Sequence, residues 1–89
     1  MNNKAQARSM HDAVIAQLNA EIITAGMTPT SLAREMGVNY GSLRKYLNGE
    51  LDMHLFMVWD ILAALGVGAT EFMQSAEALH NRGQASPKS

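Results

Sequence analysis

The chain contains no cysteine, so neither a disulfide framework nor a thiolate zinc site can supply its stability. Only two prolines interrupt its 89 residues, and no apolar run approaches the length needed to span a membrane. The N-terminal stretch lacks the apolar core of a secretion signal. Charge of either sign is sparse: seven cations face eight acids, leaving a net charge of −1. Nucleic-acid-binding domains are usually basic, so this balance counts against such a partner. What the chain does have is a 47 % apolar share, which suits one small all-α domain near the lower size limit for an unstapled core. The expected setting is the cytoplasm.

Catalysis has no support in the residues present. His11, His54 and His80 lie far apart in sequence, and none is paired with another ligand at metal spacing. No serine, histidine and carboxylate arrangement marks a nucleophile. Gly66-Val67-Gly68 lacks the strand and the lysine of a phosphate-binding loop. No enzyme activity, metal, cofactor or small-molecule ligand is therefore expected.

The informative segment runs from Thr28 to Gly49 and reads as two short helices joined by a tight turn. Thr28 is a good N-cap, and Pro29 follows at the first helical position, where its missing N–H costs nothing. Leu32, Ala33 and Met36 share one face. Gly37 supplies the freedom a sharp turn needs, and Val38 plugs the angle between the helices. Asn39 caps a second helix over about 40–48, whose inward residues are Leu43, Tyr46 and Leu47. Its other face presents Tyr40, Gly41, Ser42, Arg44 and Lys45, a mixture suited to the major groove of DNA. Within this segment the charges are Arg34, Glu35, Arg44 and Lys45, so the reading unit is net positive although the chain is not.

Around it the spacing predicts three more helices. One runs over about 9–25, with Val14, Leu18, Ile22 and Ala25 inward and Asp12 near its start. A fourth runs over about 53–65, capped by Asp52, with Leu55, Val58, Trp59, Leu62 and Leu65 inward. A fifth runs over about 70–80 and presents Phe72, Met73, Ala76 and Leu79. Residues 1–8 read as a flexible arm, either a frayed terminus or a strand of chain touching DNA. Residues 81–89 read as a disordered tail.

The pattern resembles the helix-turn-helix of the Cro/repressor (XRE-like) family. Thr28-x-x-x-Leu32-Ala33, the Gly37-Val38-Asn39 turn and Leu43 followed by Gly49 carry the likeness. It continues through Leu55, Val58, Leu62, Leu65-Gly66-Val67 and Glu71-Phe72-Met73, covering about residues 14 to 75. The resemblance implies a compact five-helix, lambda-repressor-like domain, most like a small phage Cro protein or repressor DNA-binding domain. It implies a dimer on a palindromic operator that represses transcription from a bacterial or phage genome.

Carried onto this chain, it assigns DNA contacts to Thr28, Thr30, Asn39, Tyr40, Gly41, Ser42, Arg44, Lys45 and Asn48. Lys45 is the best placed for a base, and Arg44 for a phosphate. Met53, Phe56 and Met57 fall off the inward stripe of the fourth helix and, with Leu51, suggest a dimer surface; Met73 and the last helix compete for that role.

Three departures stand out. A buried arginine–glutamate pair common in the family is replaced by Ile22 and Leu47, which are expected to touch. Pro29 stands where a phosphate-bracing glutamine is frequent, and the loop after the second helix carries Glu50 and Asp52 where cations are usual. These departures, with the acidic balance, keep two other readings open: a protein-binding module such as an antirepressor or host-interaction factor, and an antitoxin that represses its own synthesis.

Overall fold

The computed structural model describes residues 3–84, Gln84 by its backbone only. It contains α1 (Asn3–Thr24), α2 (Pro29–Met36), α3 (Tyr40–Leu47), α4 (Leu55–Leu65) and α5 (Ala69–Gln84), and no strand among the described residues. No single helix among them is long and apolar enough to cross a membrane.

Helices of eight residues such as α2 and α3 do not persist alone in water, so packing has to hold them. Every helix contributes to one core. Leu18 and Ile22 enter from α1, Leu32 and Ala33 from α2, and Leu43 and Leu47 from α3. Val58, Ile61 and Leu62 enter from α4, and Phe72 and Ala76 from α5. The longest contact runs between α1 and α5, while α2 lies against both α3 and α4. No polar or charged residue is buried among the described residues, so this core contains no ion pair. Ile22 and Leu47 are both inside it, 2 % and 5 % exposed.

Local chemistry sets the α2–α3 corner. The Thr28 hydroxyl accepts the Ser31 N–H at 3.1 Å while Ser31 Oγ accepts the Thr28 N–H at 3.0 Å, a reciprocal capping box. Gly37 ends α2 at φ 70°, a left-handed conformation that costs glycine nothing. Its N–H donates to the Arg34 carbonyl and that of Val38 to the Ala33 carbonyl, which completes a Schellman turn. Asn39 then caps α3, its Oδ1 accepting the Ser42 N–H at 3.0 Å.

Several expectations need correction. The segment read as a flexible arm over 1–8 is helical from Asn3, and α1 begins two turns before the predicted start at 9. Residues 3–8 are all exposed, so no apolar periodicity announces them; lysine, alanine, glutamine and arginine favour the helix there. Similarly, α5 continues to Gln84, beyond the predicted end at 80. The outer parts of the arm and tail, 1–2 and 85–89, lie outside the described residues.

In α4 the cap is His54, whose Nδ1 accepts the Met57 N–H at 3.3 Å, and not Asp52. Leu55 and Trp59, expected inward, are 60 % and 40 % exposed. Ala25, also expected inward, lies beyond the end of α1 and is exposed.

Candidate nucleic-acid interface

The side of α3 away from the core is built from two neighbouring rows of residues four apart. Tyr40, Arg44 and Asn48 form one row, which flanks the buried Leu43 and Leu47, while Gly41 and Lys45 form the next, with Lys45 pointing most directly away from the core. Arg44 and Lys45 are exposed, and neither forms an ion pair among the described residues. Tyr40 is 44 % exposed at the first helical position. Ser42 is exposed, its backbone N–H committed to Asn39 and its hydroxyl at the surface. The cap uses only the Oδ1 of Asn39, so the amide nitrogen of that side chain remains a donor.

Gly41 has a structural reason for its size. A Cβ there would lie 3.0 Å from Asn39 Oδ1, the atom that caps the helix. The small residue leaves room for the cap.

At the start of α2, Thr28 is occupied by the capping box, while Thr30 is exposed on its first turn. Asn48 is engaged within its own loop. Its Nδ2 donates to Glu50 Oε2 at 2.7 Å and its Oδ1 accepts the Glu50 N–H at 3.0 Å.

Three residues that sequence reasoning did not assign to the site hold the loop behind α3. Asn19 of α1 donates from Nδ2 to the Leu47 carbonyl at 2.9 Å, satisfying a carbonyl at the end of α3. His11 accepts the Met53 N–H on Nε2 at 2.8 Å. Arg8 meets Asp52 through both guanidinium nitrogens, at 2.9 and 3.3 Å. That hydrogen bond, with the accompanying charge, holds the Asp52 carboxyl below the usual aspartate range and raises Arg8 in turn.

The apolar surface is arranged differently from the expected dimer patch. Met53, Met57 and Met73 are partly buried and pack against the core. Met73 and Met53 line an apolar groove with Met10, Val14 and Leu55. The largest exposed group is a stripe of α4, Phe56 (71 %), Leu55 (60 %) and Trp59 (40 %), with Leu51 before it at 40 %; Ile23 near the end of α1 is exposed as well, at 75 %. His11 and His54 each accept a backbone N–H, and no group of three His, Asp or Glu among the described residues is placed to hold a metal ion.

Comparison of the chain with protein-family models, with curated proteins and with solved structures gives no match.

Proposed function

We propose that this chain is a sequence-specific DNA-binding regulator of the Cro/repressor type, acting in the cytoplasm by covering a promoter. The observation that carries this reading is the exposed side of α3, where Tyr40, Gly41, Ser42, Arg44 and Lys45 share one helix whose other side is locked in the core. An eight-residue helix held that way presents base-reaching and phosphate-reaching groups from a rigid support. Lys45 serves as the base or deep-groove contact and Arg44 as a phosphate contact. Asn39 adds its free amide donor, and Thr30, with the first turn of α2, braces the backbone.

Two copies would read half-sites about one helical turn, roughly 10 base pairs, apart. The contact between them falls to Phe56 with Leu55 and Trp59, the residues left exposed on α4. The test is selection from random duplex DNA across a salt series. A palindrome is the expected product. Lys45→Glu and Arg44→Glu should abolish its retention while the circular dichroism of the fold is unchanged, and no enrichment at low salt would overturn the reading.

A protein-binding module is the second reading, and the same α4 stripe favours it. In that case retention of the partner depends on Phe56 and is indifferent to Lys45.

A further inference from the structure

We infer that Arg8 and His11 form a latch on the loop after α3, and that Arg8 acts on DNA reading only through Asp52. The inference rests on the DNA-reading proposal for its functional half; the latch itself does not.

The loop folds back on the helix it follows. The Leu51 N–H donates to the carbonyl of Lys45, 3.1 Å away, so Asp52 stands one residue past a direct bond to the backbone of the best-placed reading residue. Left alone, an exposed carboxylate there repels the phosphates that Arg44 and Lys45 attract. It is not left alone. Both Asp52 oxygens face the Arg8 guanidinium at 2.9 and 3.3 Å, the bidentate geometry that carboxylates and arginine share. The neighbouring Met53 N–H is held by His11 Nε2. A neutral ring that accepts at Nε2 carries its proton on Nδ1, which lies 3.1 Å from Asp12 Oδ1 and donates to it. Two successive loop residues are thus fixed to two residues one turn apart on α1. The N-terminal turns of α1 thus place the guanidinium beside the loop.

Arg8 is therefore a positioning residue. It neutralises the acid beside the reading helix and makes no phosphate contact of its own.

A double-mutant cycle on binding of the selected operator separates the two roles. Arg8→Gln should weaken binding about five-fold at low salt, and less as salt screens the freed carboxylate. Asp52→Asn removes the charge itself, so adding Arg8→Gln to it should change affinity less than about two-fold. An equal loss in both backgrounds would make Arg8 a direct phosphate contact, and no loss in either would make it idle; each overturns the inference. The latch is tested without DNA by amide hydrogen exchange on the whole chain. His11→Phe should speed exchange at Met53 at least about ten-fold while Leu43 in the core is unaffected. Unchanged exchange at Met53 would refute the latch whether or not the chain binds DNA.

Discussion

At Asn39 a structural role and the proposed reading role fall on one side chain. Its Oδ1 caps α3, its amide nitrogen is left out of that bond, and a Cβ at Gly41 would lie 3.0 Å from the same Oδ1. Asn39→Ala removes both the cap and the donor. Loss of an N-cap costs about 1 kcal/mol, which thermal or urea unfolding will show as a lowered midpoint without a changed slope. Asn39→Asp separates the two functions, since aspartate caps equally well and donates nothing. Stability should stay within about 0.5 kcal/mol of the parent, while affinity for the operator falls through the lost donor and the added negative charge. If Asn39→Asp binds as well as the parent, the residue is a cap only.

The legibility of each element depended on where its stabilising interactions lie. The α2–α3 pair is readable because Thr28, Pro29, Gly37 and Asn39 act within three or four residues of themselves, and the structure shows those caps as expected. The first turns of α1 are not readable, because residues 3–8 bury nothing and Asp52, the partner of Arg8, lies 44 residues away. In α4 the difficulty is an excess of signal. Leu55, Phe56 and Trp59 are apolar on the exposed side, so the helix has no polar face to reveal which side is inward. On the side proposed to face DNA, residue types are legible but spare capacity is not: nothing in the sequence says that Asn48 is already bonded to Glu50.

The contact between α1 and the loop also makes a prediction at this scale. Asp52 is held below its ordinary value in the fold, so the pair stabilises the protein at neutral pH. That contribution is complete above the ordinary aspartate value of about 3.9 and disappears as pH falls through the depressed one. Unfolding midpoints of the parent and Arg8→Gln should therefore differ slightly at pH 7 and converge in acid. The difference at pH 7 will be small, since both groups are open to water. A gap that persists below the depressed value would assign the role of Arg8 to packing instead.

For the molecule as a whole, the low content of cations sets how DNA would be held under the proposed function. With a net charge of −1 the chain has no general attraction for a polyanion, so binding depends on the few charges gathered on α3. In a twofold dimer the slope of log affinity against log salt should be about −2 if only Arg44 of each copy meets phosphate, as proposed, and about −4 if Lys45 does so as well. Lys45→Glu in both copies lowers the slope to about −2 if that residue meets phosphate. If Lys45 reaches a base edge instead, the variant loses sequence preference as well as affinity, and the operator and a scrambled duplex then bind alike. Measuring the slope on both duplexes therefore distinguishes a positioning cation from a reading one. A parent slope much steeper than about −6 would require cations outside α3, with Arg34 at the end of α2 the nearest in sequence, and would widen the interface to the whole corner between the two helices.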